Sequence, residues 1–238
     1  MIPLTSQEVA SLAFYDGPPK HVILLPDGHR RSGLDPKDAY SLGASKCGEF
    51  YDLCLGTLGH NDASVFAVSS RSFLGYNGRD EDNIAAILQA GRQLAVDLRQ
   101  ERWGTPLSSV RFQVLSRADM PHLAPPVEVE ISPRLCREWI KMADAMVELE
   151  EKSREAQGKT AWLLVNYSSA VEAAMRLMGD ESVVPLPPFG LWLRTGGDYR
   201  LSDCASGLVA STYLHVLPEI VPKVHVAALE PTIRHYLN

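Results

Sequence analysis

The chain has 238 residues, of which 45% are hydrophobic and 22% charged. That is the make-up of an ordinary globular protein with room for one large α/β domain. A formal net charge of −6 argues against a general nucleic-acid binder, whose affinity would come from a basic surface. No apolar run reaches membrane-spanning length.

The N-terminal "MIPLTSQEVASLAFYDGPPK" lacks the basic n-region and long apolar core of a secretory signal, so none is expected. "HVILLP" (21 to 26) is a short apolar run of the kind buried on both faces of a parallel sheet. It ends abruptly in "DGHRRSG". A helix is expected over 35 to 59, with Asp35 as N-cap and Pro36 at the first helical position. "ASVFAVSS" (63 to 70) reads as a second strand. The segment 80 to 103 reads as a long helix whose first turn is acidic, as the helix dipole prefers.

"SVRFQVLS" (109 to 116) alternates like a strand. Another long helix is expected over 132 to 157, opened by Ser132 and Pro133. "TAWLLVNY" (160 to 167) and "FGLWLRTGG" (189 to 197) complete a set of five strands, with a short helix over 168 to 178 between them. The proline-rich links resume strands at once, so residues 1 to 238 are expected to form a single domain. Strand and helix alternate about five times, which predicts an α/β fold. Its central, mostly parallel sheet would be flanked by helices on both faces.

The four cysteines, Cys47, Cys54, Cys136 and Cys204, form no C-x-x-C pair and have no zinc spacing. Buried thiols in a reducing, cytoplasmic setting are the expectation.

In a parallel sheet, ligands lie beyond the carboxyl ends of the strands. Here those ends are "DGHRRSG", "SSRSFLGYNGR", "NYSS" and "RTGGDYRLS". Arg30, Arg31, Arg79, Arg194 and Arg200 would converge on one edge, and the planar guanidinium fork suits phosphate oxygens. The glycines of "RTGG" allow the backbone to turn sharply and approach a ligand. No Walker loop and no G-x-G-x-x-G is present. Asp27 among these cations either pairs with an arginine or binds Mg²⁺, which takes one or two carboxylates plus ligand phosphates. A densely charged anion such as a diphosphate is the expected ligand.

These motifs resemble those of the cis-prenyltransferase, or undecaprenyl diphosphate synthase, family. Its first motif, roughly H-V-A-x-I-M-D-G-N-G-R-W-A, stands here as "HVILLPDGHRRSG". Its last, R-T-G-G-E-x-R-[IL]-S-N-F, stands as "RTGGDYRLSDC". "FAVSSRSFLGYNGRDEDNI" and "LLVNYSSAVEAA" are similar to two motifs between them. The likeness runs in order along nearly the whole chain.

The resemblance implies an enzyme that joins isoprenoid diphosphates by Mg²⁺-assisted ionisation, carbon–carbon bond formation and proton loss, usually as a homodimer. It implies that Asp27 holds Mg²⁺ and that Arg31, with Gly28, grips the allylic diphosphate. Arg194, Arg200 and Ser202 would hold the second diphosphate, and Arg79 would follow the second strand's loop. Ser69 or Ser70 would stand near the proton-removal step.

The departures are specific. His29, Arg30 and Ser32 replace the family's Asn, Gly and Trp. Tyr40 stands for a histidine beside the substrate and Ala170 for an arginine. Tyr213 stands where a second metal-binding Glu is expected, which leaves Asp198 and Asp203 as candidates. Tyr213 itself is read as an aromatic packed in the core. His29 is a candidate proton acceptor or donor.

This pattern is more similar to the irregular, head-to-middle members that make lavandulyl-type or cyclolavandulyl-type products. Three readings follow: a short-chain, irregular prenyltransferase; a cyclase or lyase acting on one prenyl diphosphate; and a non-catalytic partner subunit.

Overall fold

The computed structural model describes residues 20–69, 80–118, 121–125, 131–180, 186–197 and 212–237. Six strands build one all-parallel sheet: β1 (His21–Leu25), β2 (Asp62–Val68), β3 (Val110–Leu115), β4 (Lys159–Val165), β5 (Leu191–Arg194) and β6 (Tyr213–Val216). Their spatial order is β3-β4-β2-β1-β5-β6. The helices are α1 (Pro36–Tyr51), α2 (Glu81–Arg99), α3 (Pro133–Ser153), α4 (Ser169–Leu177) and α5 (Glu230–Leu237). Among the described residues no helix is long and apolar enough to cross a membrane.

The helix starts follow from their caps. Asp35 Oδ1 accepts the Lys37 N–H at 2.9 Å, and Pro36 takes the first position of α1, where an N–H would have no helical partner. Asp80 Oδ1 accepts from Asn83 N–H at 2.8 Å. Ser132 Oγ accepts from Leu135 N–H at 3.2 Å. Beyond Tyr51 the first helix widens into π-helical turns over Asp52–Thr57.

Strand alternation divides the core in two. Val22 and Leu24 of β1, Val65 of β2, Phe112 of β3 and Leu163 of β4 face a large cluster completed by residues of α1, α2, α3 and α5. Ile23, Leu25, Trp162, Leu164 and Trp192 face a smaller one, joined by Tyr167, Leu186 and Phe189 from the connections. β1, β4 and β5 are buried on both faces, which is why they read as continuous apolar runs. Cys47 and Cys54 are buried in the large cluster, as expected, whereas Cys136 is half-buried.

Two expectations are corrected here. The sheet has a sixth strand, Tyr213–Val216, parallel to β5 through Leu191↔Tyr213 and Arg194↔Val216. It is a four-residue edge strand with no continuous apolar run, so its sequence carried little strand signal. Tyr213 consequently lies outside the core: it is 51% exposed and leans on Tyr236 with ring centroids 5.0 Å apart.

One buried polar group starts the central strand. His21 is fully buried, with Nδ1 3.0 Å from the Pro187 carbonyl and Nε2 2.7 Å from Ser64 Oγ. The carbonyl can only accept, so Nδ1 carries the proton and Nε2 accepts from the serine hydroxyl. Burial pushes this imidazole from 6.5 down to about 3, against a smaller opposing effect of the Pro187 carbonyl. Above pH 6.5 both folded and unfolded chains hold it neutral. Between pH 6.5 and 3 only the unfolded chain takes the proton. His21 alone should therefore cost about 1.4 kcal/mol of stability per pH unit as pH falls through that window. Urea unfolding at pH 7, 6 and 5 checks this. A His21→Asn variant should show a shallower slope, and an identical slope would mean that His21 does not carry the effect.

Candidate active site

The pairing Leu25↔Arg194 between β1 and β5 brings two turns side by side at the carboxyl edge of the sheet. One leaves β1 through Pro26, Asp27 and Gly28; the other leaves β5 through Thr195, Gly196 and Gly197. Gly28 has φ +97°, and a Cβ there would stand 2.5 Å from Ile220 Cγ2. Only glycine meets both conditions. The chain then makes a single 3-10 turn over His29–Arg31, closed by Arg31 N–H to the Gly28 carbonyl at 3.0 Å.

Thr195 joins the turns. Its Oγ1 accepts the Asp27 N–H at 2.7 Å and donates to the Asp27 carbonyl at 2.8 Å. The Asp27 carboxylate uses both oxygens: Oδ1 accepts the Gly28 N–H at 2.8 Å, and Oδ2 accepts from Arg194 Nη2 at 2.8 Å. The two side chains are 37% and 6% exposed respectively, so the carboxylate faces outward from an almost buried guanidinium. Burial alone would raise the Asp27 carboxyl. The Arg194 and Gly28 hydrogen bonds, with the charges of Arg194 and Arg31, outweigh it and hold the group below the usual carboxylate range. Asp27 is thus ionised at neutral pH.

Arg31 belongs to the same cluster. Its Nη2 lies 2.6 Å from where a Cβ on Gly196 would stand, and the Asp27 carbonyl carbon lies 3.3 Å from it. The absent side chain at Gly196 leaves the space through which Arg31 reaches over the "RTGG" turn. Gly196 also has φ +87°, so an alanine there is strained by about 1–2 kcal/mol. Gly196→Ala should displace Arg31 and weaken pyrophosphate binding about tenfold, on the basis that a loss of about 1.4 kcal/mol is a factor of ten. Isothermal titration with Mg²⁺ present checks this; unchanged affinity would separate Arg31 from the site.

His29 packs against α1. Its ring stacks on Tyr40, with centroids 4.4 Å apart and planes at 26°. Its Nε2 lies 2.1 Å from the position of a Cβ on Gly43. A glycine inside a helical pattern carries a packing reason, and here the reason is the imidazole.

Other candidates fall as follows. Arg30 is exposed and Ser69 half-buried at the end of β2. Ser70, Arg79, Arg200, Ser202, Asp198 and Asp203 lie outside the described residues. A cavity of about 370 Å³ between α1 and α2, flanked by Lys37 and Arg92, shares no lining residue with this site. Thr195, Gly43 and Ile220 were missed as site residues. Thr195 sat inside a quoted motif and Gly43 was a visible interruption of a helix, whereas Ile220 gave no signal.

The Asp27 carboxylate suits a Mg²⁺ that takes most of its ligands from a diphosphate and water. Asp27 is an ionised, outward-facing hard oxygen donor among cations that would hold the diphosphate itself. Among the described residues no group of three or more His, Cys, Asp or Glu is placed to cage a metal. The donor set therefore fits a metal–diphosphate complex.

No protein-family model matches the chain, and no curated protein sequence matches it. Solved structures do. Lavandulyl diphosphate synthase from Lavandula x intermedia, solved in complex with dimethylallyl diphosphate, superposes with a TM-score of 0.69. It is 18% identical, over 92% of this chain and 94% of that one. The chain has the cis-prenyltransferase fold. A probable undecaprenyl diphosphate synthase from Campylobacter jejuni shares that fold, with a TM-score of 0.64 and 17% identity. The match covers 91% of this chain and 94% of that chain. The cis-prenyltransferase fold suggested by the motifs is thus borne out over nearly the whole length, and the Asp27 and "RTGG" turns lie at its carboxyl edge.

Proposed function

We propose that the chain is a prenyltransferase that joins short isoprenoid diphosphates of the dimethylallyl type, with irregular, head-to-middle coupling. One observation carries the reading. The ionised Asp27 carboxylate shares its turn with Arg31, accepts from a buried Arg194 and stands beside a glycine space that admits Arg31. Such a cluster is complementary to a diphosphate and its metal. The fold likeness to prenyl diphosphate synthases, one of them holding dimethylallyl diphosphate, supports the same substrate class.

In this reading Arg31 grips the departing diphosphate, and Arg194 with Arg200 and Ser202 holds the second substrate. Asp27 would hold Mg²⁺, which when bound supplies neutralisation of charge on the leaving group. Thr195 keeps the two turns in register. The bond from the allylic carbon to the diphosphate oxygen breaks, a carbon–carbon bond forms, and a proton leaves the resulting carbocation. His29 or a diphosphate oxygen accepts that proton, near Ser69 and Ser70. A homodimer in the cytoplasm is part of the proposal.

Incubation with dimethylallyl, isopentenyl, geranyl and farnesyl diphosphates plus Mg²⁺, with mass analysis of products, tests it. A coupled product from two dimethylallyl units is expected. A product that keeps the carbon count of a single substrate molecule would instead indicate a cyclase or lyase, and no product a partner subunit.

His29→Ala separates the two bases. If imidazole accepts the proton, turnover should fall about 10²-fold or more, or the carbocation should be diverted to alcohols and isomers, with substrate affinity little changed. A wild-type rate and product mixture would leave the diphosphate as the base and His29 as packing against Tyr40 and Gly43.

A further inference from the structure

The segment Leu217–Val221 follows the edge strand β6 and belongs to no catalytic motif. It is nevertheless bonded to both turns of the site. Leu217 N–H donates to the Arg194 carbonyl at 2.7 Å, and Gly197 N–H donates to the Leu217 carbonyl at 2.8 Å. Gly196 N–H donates to the Glu219 carbonyl at 2.6 Å, and Val221 N–H donates to the Asp27 carbonyl at 3.0 Å. The first three bonds hold the "RTGG" turn and the fourth holds the Asp27 turn. Pro218 and Pro222 bracket Glu219 and Val221, and each restricts the backbone next to it.

Within this strap the Ile220 side chain touches the Asp27 turn. Ile220 Cγ2 and Cβ lie 2.5 and 2.8 Å from the position a Cβ on Gly28 would take. The isoleucine therefore closes the back of the turn that carries Asp27, His29 and Arg31. A β-branched side chain has few χ1 choices, so it makes a stiff wall.

We propose that Ile220 is a positioning residue for diphosphate binding, acting through Gly28 to hold the Asp27–Arg31 turn against the "RTGG" turn. The proposal rests on the diphosphate reading of the site. Truncating Ile220 leaves every charged group in place but removes the wall behind Gly28. The turn then has room to retreat, and ordering it is charged to ligand binding.

The test uses the full chain, Mg²⁺ and inorganic pyrophosphate as probe, read by calorimetry, with thermal unfolding measured in parallel. Ile220→Ala should weaken pyrophosphate binding at least tenfold, and Ile220→Val, which removes one carbon, about threefold. Leu229→Ala, which truncates a buried residue of the large core cluster, should lower the unfolding temperature without changing pyrophosphate affinity. Wild-type affinity in Ile220→Ala overturns the proposal. So does an equal affinity loss in Leu229→Ala, because binding would then merely track stability. Should Ile220→Ala fail to fold, an unchanged affinity in Ile220→Val overturns it. Failure of the unaltered chain to bind pyrophosphate overturns the diphosphate reading as well, which distinguishes the two failures.

Discussion

Asp27→Ala is expected to lower turnover about 10³-fold or more while the chain remains folded. A thousandfold is about 4 kcal/mol of lost transition-state stabilisation, within what a metal held at a leaving group supplies. The carboxylate also accepts from Gly28 N–H and from Arg194, so the alanine variant leaves an almost buried guanidinium without its counter-charge. Asp27→Asn provides the comparison. Its amide oxygen can still accept the Gly28 N–H, so the turn is kept while the negative charge and the hydrogen bond from Arg194 are lost. Both variants should be inactive, and circular dichroism should show both folded. Near-normal rates in either would remove Asp27 from the mechanism.

The second large effect is expected at Arg194. Arg194→Lys keeps the charge and loses the planar fork, so diphosphate affinity should fall about tenfold to a hundredfold, as for a charge-assisted bond worth about 1.5–3 kcal/mol. Arg200→Lys should behave alike. A pH profile distinguishes a bound-substrate role from a role towards Asp27. Arg194 is the main group that lowers the Asp27 carboxyl against the effect of burial. Weakening that bond raises the folded pKa, so Asp27 takes its proton at a higher pH. The acid limb of kcat/KM should then move upward in Arg194→Lys. Unchanged affinity together with an unchanged acid limb would mean that the Asp27–Arg194 pair does not serve the reaction.

How much of this was legible before the structure depends on the kind of interaction. β1, β4 and β5 announced themselves because both of their faces are buried, which leaves no polar alternation to confuse the pattern. The starts of α1, α2 and α3 were legible because a cap is a local device, and Asp35, Asp80 and Ser132 each bond to a backbone N–H two or three residues ahead. The Asp27 and "RTGG" turns stood out because polar and glycine residues follow apolar runs abruptly.

What stayed hidden is long-range. Nothing near Ile220 in sequence indicates that it backs Gly28, because that contact is made by chain closure. His29 was read as a candidate proton acceptor or donor, and its stacking on Tyr40 depends on where α1 docks. Tyr213 was misread because β6 is short and at an edge, where burial does not impose a pattern. The wall, the stack and the edge strand all arise from tertiary pairing, to which local propensity is blind.

The placement of β1 at the centre of the sheet has a consequence for biosynthesis. One of its edges is satisfied early, by β2. The other waits for β5, and Asp27 and Arg194 stand 167 residues apart in the chain. At about 5–20 residues per second of elongation, the gap lasts about 8 to 33 s on the ribosome. Throughout that interval a strand that is apolar after its first residue, "HVILL", has an open hydrogen-bonding edge, and the Asp27 carboxylate beyond it has no Arg194 beside it. The Asp27–Arg194 pair is therefore also a late checkpoint: a chain interrupted before residue 194 lacks that ion pair and carries an unpaired, aggregation-prone edge at the middle of its future sheet.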